Sequence, residues 1–419
     1  MSRRLAGPRR RLSARVSVPP SKSLTNRALV MAAVAGGGEV ESPLDCDDTR
    51  YLARALERCG WPLTWEEAIR VGSREGEGGS VLLDLGNSGT GARMLLALLA
   101  AVSGHFVVDG CARLRERPMG PLLDSLAALG ARFEAAPGMR LPVQVWGRPL
   151  NGGKVAVSPR ASSQFVTALL LMAPLTSSGL EVSIEGPIPS RPYLELTRHV
   201  LQAFGANVSD REGGRIWRVE AGGVAPRRYR VEGDWSAAAF FMAAACVAGG
   251  RVTIDNLDPE SPQGDRRLVD ILRRAGAVVD AKAETVTVQG PAARPFKADL
   301  SDAPDLFPAL AVVAAALPPG SVLIGLENLR HKESDRLFMM IENLRRMGAD
   351  VAADGSSFEV RRGMASQPEV VEVESASDHR IAMAMAVAAL AAGELEIDDD
   401  RCVTKSFPSF WGEWERVLA

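Results

Sequence analysis

The chain is short of the features that mark several large protein classes. Its charge is almost balanced, with 49 Lys and Arg against 51 Asp and Glu, so no global basic field draws nucleic acid or a membrane surface. Affinity for an anion must then be local, which is sufficient because free charges are screened beyond ~8 Å at physiological salt. Long hydrophobic runs are missing. The apolar stretches are interrupted and rich in Ala and Gly, which is unlike a membrane span. Cysteine is scarce: Cys46, Cys59, Cys111, Cys246 and Cys402 are odd in number and scattered, which argues against a disulfide framework and for a reducing cytoplasm. His105, His199, His331 and His379 make no metal-ligand spacing, and no two cysteines form a close pair. A Gly-rich phosphate loop ending in Lys-Ser/Thr is absent. The head, residues 1–12, holds Arg3, Arg4, Arg9, Arg10 and Arg11 but no apolar core of a signal peptide, and reads as a solvated end.

What is present is a repeat. With 419 residues and 46% hydrophobic composition the chain can bury large cores and is expected to hold about two domains. Apolar, small-residue helical stretches ending in Gly begin near Ser23, Thr90, Ser162, Ser236, Ala303 and Asp378, at intervals of 67, 72, 74, 67 and 75 residues. A second, amphipathic helix keeps the same beat and ends at Gly60, Gly130, Gly205, Gly276 and Gly348, with a further copy starting near Trp411 and running off the end. Short alternating stretches at 80–85, 154–157 and 285–289 read as half-buried strands. Each repeat is thus predicted as strand-helix-strand-helix-strand. An Ala-rich helix that is apolar nearly all round belongs inside, so helices within and sheets outside are expected. A doubly wound fold would need longer central Val/Ile strands.

Three repeats per domain is the natural division. The predicted fold is an inside-out α/β barrel in two similar domains, residues 18–230 and residues 1–17 with 231–419. The boundary is placed at Val224-Ala225-Pro226-Arg227-Arg228-Tyr229-Arg230, where Pro and charges separate two apolar repeats. The strand-like stretch 11–18 can pair with either half. Pairing with the second would make two chain crossings.

The residues before each apolar helix carry the chemistry. They read Ser21-Lys22-Ser23, Asn87-Ser88-Gly89-Thr90, Ser162-Ser163-Gln164, Gly233-Asp234-Trp235-Ser236, Pro304-Asp305 and Asp378-His379-Arg380. At Pro19-Pro20 an extended run ends, and the first apolar helix is expected over 28–35, with Ser23 and Arg27 on one face. If six such starts face one interdomain cleft, their positive ends meet around a strongly anionic ligand. Ser, Thr, Asp and Asn are also the ordinary caps, and for Asp234, Ser236 and Thr90 both readings stand. Capping does not explain the cations Lys22, Arg27, Arg93, Arg117, Lys332, Arg336, Arg380 and Lys405 at or near these starts. Arg115-Glu116-Arg117-Pro118 is expected to begin another helix, and the run from Asn328 to Arg336 sets Glu333 and Asp335 among cations.

Pro20-Ser21-Lys22-Ser23 with Asn26-Arg27, Leu85-Gly86-Asn87-Ser88-Gly89-Thr90 with Arg93, Arg117-Pro118-Met119-Gly120, Ser162-Ser163-Gln164-Phe165, Ser190-Arg191-Pro192-Tyr193, Lys332-Glu333-Ser334-Asp335-Arg336-Leu337, Asp378-His379-Arg380 and Lys405-Ser406-Phe407-Pro408 together resemble the 5-enolpyruvylshikimate-3-phosphate synthase family, in the family's order. Members have two three-repeat domains that close around their substrates. The resemblance implies transfer of the enolpyruvyl group of phosphoenolpyruvate to the 5-hydroxyl of shikimate 3-phosphate. It implies that shikimate 3-phosphate is held by Lys22, Ser23, Arg27, Ser162, Ser163, Gln164, Ser190, Tyr193, Asp305, Asn328 and Lys332, mainly on the first domain. Phosphoenolpyruvate would be held by Lys22, Gly89, Arg117, Gln164, Arg336, Arg380 and Lys405. Asp305 matches the family's candidate base and Glu333 its candidate acid, while Lys22 and Lys405 assist. No metal or organic cofactor is implied. A cytoplasmic monomer is expected, with no nucleic-acid or membrane partner. Gly89 resembles members inhibited by glyphosate, although Met94 stands where many members carry proline.

Two other readings are open. The sister family, UDP-N-acetylglucosamine enolpyruvyl transferase, uses a cysteine shortly before an Arg-Pro, and Cys111 lies six residues before Arg117. That family has Lys-Asn where this chain has Lys22-Ser23, and it lacks the Ser-Ser-Gln start. A non-catalytic anion-binding protein would keep the arginines without needing Asp305 and Glu333.

Overall fold

The computed structural model describes residues 1–7, 11–76 and 80–419, so Arg9 and Arg10 lie outside the described residues. The chain forms two compact units, Pro20–Val231 and a second made of Met1–Pro19 with Glu232–Ala419. Each has its own apolar core. In the first, the Lys22–Val34, Gly89–Ala100 and Gln164–Met172 helices pack on one another. In the second, the Trp235–Ala248, Phe307–Ala316 and His379–Ala392 helices do the same. These helices are buried on nearly every side, and their many alanines let neighbours approach closely.

The sheets take the outside. Their strands alternate in burial, as in Arg140–Gly147 and Ser357–Arg362, so one pleat face covers helices and the other meets water. This is why short strands suffice. Each of the first five repeats carries one more strand than the sequence suggests. The second helix is followed by a two-strand hairpin, for example Arg132–Ala136 with Arg140–Gly147. In the four-stranded sheets the first two strands are parallel and the hairpin pairs antiparallel, as in Gly153–Val157, Leu180–Ile184, Ile216–Val219 and Val208–Arg211.

The glycine beat has a geometric cause. Gly60, Gly130, Gly205, Gly276 and Gly348 all have φ between 80° and 96°. In each case the residue after the glycine donates its N–H to the carbonyl of a leucine five positions back: Leu56, Leu126, Leu201, Leu272 or Leu344. That is a Schellman cap, whose left-handed residue favours glycine. The apolar helices end less uniformly than expected. Gln164–Met172 runs into the 3-10 turn Ala173–Leu175, and Phe307–Ala316 stops at Leu317, which Pro318 holds extended. The first apolar helix begins at Lys22, earlier than the expected 28–35, because the polar residues after Ser21 are themselves helical.

The two chain crossings exchange strands. Leu12–Ser17 pairs with Gly250–Asp255, while Arg227–Arg230, read from sequence as a linker, is a strand beside Gly38–Glu41. The sixth repeat lacks a hairpin after its final helix, Phe410–Leu418, and Arg3–Leu5 completes its sheet against Leu395–Ile397. No helix among the described residues is long and apolar enough to cross a membrane.

Candidate active site

The expected site residues form several hydrogen-bonded groups in the first unit and one ion cluster in the second. In the first unit, Lys22 opens its helix and donates to Asp48 Oδ2 at 2.9 Å. Asp48 sits in the first turn of the Asp47–Arg58 helix with only 4% of its side chain exposed. Ser21, the residue before this helix, makes no side-chain capping bond, and its hydroxyl is buried without a hydrogen-bond partner.

Arg27 is 1% exposed. Its guanidinium donates to Thr197 Oγ1 (3.0 Å), the Ser23 carbonyl (2.9 Å), the Tyr193 carbonyl (3.1 Å) and Thr167 Oγ1 (3.4 Å), and it lies near the Tyr193 ring. All four acceptors are neutral, and one of its five N–H groups is left over. Burial lowers its pKa to about 10, which still leaves it protonated at neutral pH. A buried cation held only by neutral partners favours an anion brought from outside. Ser190, with a φ of 54°, accepts at its carbonyl from the Tyr193 amide.

A second network joins three helix starts. Arg93 donates to Gln164 Oε1 at 2.6 Å and to the Pro118 carbonyl at 3.1 Å, while Gln164 Nε2 donates to Thr90 Oγ1 at 2.8 Å. Thr90 therefore acts as a hydrogen-bond partner of Gln164 and not as a cap; Ser88 caps this helix by accepting from the Gly91 amide. Ser162 Oγ accepts from the Gln164 amide, and Ser163 is buried at the same start. Arg117-Pro118 does not begin a helix. It lies between the Ala112–Glu116 and Gly120–Ala128 helices, and this extended link turns Arg117 toward Gly89. A Cβ on Gly89 would come within 2.5 Å of Arg117 Nη1. Met94 is buried inside the Gly89–Ala100 helix, which is continuous through it. Cys111 is exposed and precedes the short Ala112–Glu116 helix.

In the second unit, Arg336 is the hub and is 1% exposed. It bonds Asp305 Oδ1 (2.7 Å), Glu333 Oε2 (2.7 Å) and Asp378 Oδ2 (2.8 Å). Asp305 also meets Lys332 and Arg380, each at 3.3 Å. Burial alone would raise the Asp305 pKa, but Arg380, Lys332 and Arg336 outweigh it and hold the carboxyl well below the usual range. Burial opposes the charge on Arg336 too, and Asp378, Glu333 and Asp305 reverse that and push its pKa up. Asp378 caps the His379–Ala392 helix by accepting from the Arg380 amide. Asn328 is half-buried in the 3-10 helix Glu327–His331, and buried Lys405 ends the 3-10 helix Arg401–Lys405, which packs on the His379–Ala392 helix. Asp234 caps the Trp235–Ala248 helix, whereas Ser236 is bonded to Asp265.

The structure thus gathers Asp305, Glu333, Lys332, Arg336 and Arg380 into one ion cluster and joins Arg27 to Ser23 and Tyr193, and Gln164 to Arg93. Two participants gain a role only from the structure. Asp48 looks like any acidic residue in a first helical turn. Asp378 looks like a cap, which it is, and its bond to Arg336 depends on tertiary packing.

The model of the EPSP synthase family (3-phosphoshikimate 1-carboxyvinyltransferase) matches residues 7–414. The chain belongs to the EPSP synthase family. A 3-phosphoshikimate 1-carboxyvinyltransferase of Methanoculleus marisnigri is 40% identical over 402 residues, covering 94% of each chain. That of Syntrophobacter fumaroxidans is 39% identical and covers 97% of each. Among solved structures, an EPSP synthase from Acinetobacter baumannii superposes with a TM-score of 0.80 at 27% identity, covering 100% of this chain and 98% of the other. The arrangement of buried helices under outer sheets is therefore that of the EPSP synthase fold.

Proposed function

We propose that the protein transfers the enolpyruvyl group of phosphoenolpyruvate to the 5-hydroxyl of shikimate 3-phosphate, with release of phosphate. The observation that supports this most is that Asp305 and Glu333 are bound to the same guanidinium, Arg336. The reaction needs a base and an acid close together, whereas a simple anion binder has no use for either. In this reading the shikimate 3-phosphate side comprises Ser23, Arg27, Ser162, Ser163, Gln164, Ser190, Tyr193, Asn328 and Lys332. The phosphoenolpyruvate side comprises Lys22, Gly89, Arg117, Gln164, Arg336, Arg380 and Lys405. Guanidinium forks suit phosphate and carboxylate, and hydroxyls with amides suit a polyhydroxylated ring.

The 5-hydroxyl oxygen bonds to C2 of phosphoenolpyruvate as its proton passes to Asp305. A proton from Glu333 reaches the methylene carbon, giving a tetrahedral intermediate with a methyl group. Return of one methyl proton to Glu333 and loss of phosphate, which takes up the proton held by Asp305 and is neutralised by Lys22, restore the double bond and both carboxyl groups. Lys405 assists proton transfer. Asp305 is a weak base while Lys332, Arg336 and Arg380 surround it. Anionic substrates compete for those cations, and each one drawn away raises the proton affinity of Asp305 when a base is required. Glu333→Gln keeps the size and loses the acid, so turnover will fall on the order of 10²–10⁴-fold. Substrate affinity, read by calorimetry, will change little; near-normal turnover would remove Glu333 from the mechanism.

The same reading makes the protein a cytoplasmic monomer and glyphosate an inhibitor that competes with phosphoenolpyruvate. Gly89→Ala pushes the Arg117 guanidinium aside, because no other direction relieves a 2.5 Å approach without moving helix backbone. The expected result is an increase of about tenfold in KM for phosphoenolpyruvate, equivalent to ~1.4 kcal/mol, with a parallel loss of glyphosate sensitivity. Steady-state kinetics check both. Full activity of the unaltered protein in millimolar glyphosate at limiting phosphoenolpyruvate would contradict this site.

The function is tested by following phosphate release with purified protein and different acceptors. Release that requires shikimate 3-phosphate supports the reading. Release with UDP-N-acetylglucosamine, lost in Cys111→Ala, would favour the sister reaction, and binding without release would favour an anion-binding protein.

A further inference from the structure

One buried carboxyl beside the Asp305 cluster has no part in the mechanism above. Asp265 lies in the 3-10 turn Gly264–Arg267 and is 4% exposed. Its Oδ2 is bonded to the Ser236 hydroxyl, and its Oδ1 is buried without a hydrogen-bond partner. Asp378 is equally enclosed but accepts from Ser334 Oγ, Arg336 Nε and the Arg380 amide. A buried carboxyl served by one neutral hydroxyl lacks the donors that stabilise a charge, so its neutral, protonated form is favoured.

The position of Asp265 relative to the reaction centre is fixed by packing. Ser236 is the second residue of the Trp235–Ala248 helix, which packs on both the Gly264–Arg267 turn and the Pro304–Leu306 turn that carries Asp305. Arg267 Nη2 meets Asp302 Oδ2 at 3.3 Å and ties the first turn to the residues leading into the second.

We propose that Asp265 is a positioning residue for the reaction, a second carboxyl that shares a proton with Ser236 and sets the electrostatic field felt by Asp305 and Arg380. This rests on the enolpyruvyl-transfer reading. Charged groups face Asp265 from three elements: Asp305 from its turn, Arg380 from the start of the His379–Ala392 helix, and Asp234 from the cap of the Trp235–Ala248 helix. Burial first, then Asp305, raise its pKa to about 7, against the opposing effects of Arg380 and the Ser236 bond. As pH rises through that value Asp265 gains a negative charge. The proton affinity of Asp305 then increases and anion binding at Arg380 weakens. The carboxyl therefore links substrate affinity to base strength near neutral pH.

Asp265→Asn mimics the neutral acid and removes the ionisation. The first measurement is the Tm of the ligand-free full chain against pH. A folded pKa of about 7 against ~3.9 unfolded means the native state binds more protons between these values, so wild type loses stability as pH rises through that window. The variant does not, so its Tm will gain on wild type from about pH 4 to 7 and stay level above. The second measurement is kcat and KM against pH. From pH 6 to 8 the wild-type KM for phosphoenolpyruvate will rise severalfold relative to that of the variant, and the variant will have the lower kcat at pH 8. Ser236→Ala, which removes a bond that lowers the Asp265 pKa, will move both midpoints upward and carries the test if Asp265→Asn does not fold. A Tm gap and a kinetic ratio that are both constant with pH would overturn the proposal. So would a changing Tm gap with a constant kinetic ratio, which would make the ionisation real but idle. Wild type without turnover would remove the reaction itself, while the Tm measurement still reads Asp265 separately.

Discussion

Arg336→Met will lower stability by ~3–5 kcal/mol, the usual cost of removing one partner from a buried charge network. The guanidinium bonds Asp305, Glu333 and Asp378 at once, and without it three carboxylates with at most 13% side-chain exposure lose their common partner. In a unit of this size the loss corresponds to a fall in Tm of roughly 6–20 °C, measurable by scanning calorimetry. Arg336→Lys will recover little, because a single ammonium cannot span three carboxylates held by separate N–H groups of a planar fork. The depressed pKa of Asp305 sets the pH window. Its contribution is present above the unfolded value near ~3.9 and disappears as pH falls through the lower folded value, so the wild-type advantage over Arg336→Met will shrink on the acid side. A variant with unchanged Tm would mean that the three carboxylates find other partners.

Lys22→Met will remove turnover by on the order of 10²–10³-fold, the effect of losing a charge aimed at a developing anion. The stem is retained, so the helix start will stay folded. The lysine nevertheless also serves Asp48, which is 4% exposed, and some stability will be lost with the ion pair. The double variant Lys22→Met with Asp48→Asn separates the two effects. It will regain Tm, because the amide does not carry the buried charge, and it will not regain activity. Recovery of turnover in the double variant would show that Lys22 acts only by neutralising Asp48.

The repeat was readable because it rests on local chemistry. A leucine, three residues, a glycine and then a small or aromatic residue is the sequence image of a Schellman cap, and it recurs wherever the amphipathic helix must stop. The apolar helices were readable because nothing polar interrupts them. The hairpins were not, because strands such as Leu63–Trp65 are too short to show alternation. The pairing of Arg3–Leu5 with Leu395–Ile397 escapes any local reading, since the partners lie at opposite ends of the chain. The same division holds at the candidate site. Lys22, Arg27, Arg117, Arg336 and Arg380 stand out as cations at or near helix starts, where cations are not otherwise favoured. Asp48, Asp265 and Asp378 were missed as functional groups, because their partners come from other elements and the ionisation of Asp265 is governed by burial, which composition does not show.

The most direct test is to run the reaction in D₂O with phosphoenolpyruvate and shikimate 3-phosphate, following products by ¹H and ³¹P NMR. Enolpyruvyl transfer through a methyl-bearing intermediate will give one phosphate per enol ether formed, with deuterium entering the vinyl carbon because the methyl group forms and loses hydrogen during turnover. Phosphate accompanied by pyruvate, formed equally well without shikimate 3-phosphate, would contradict it.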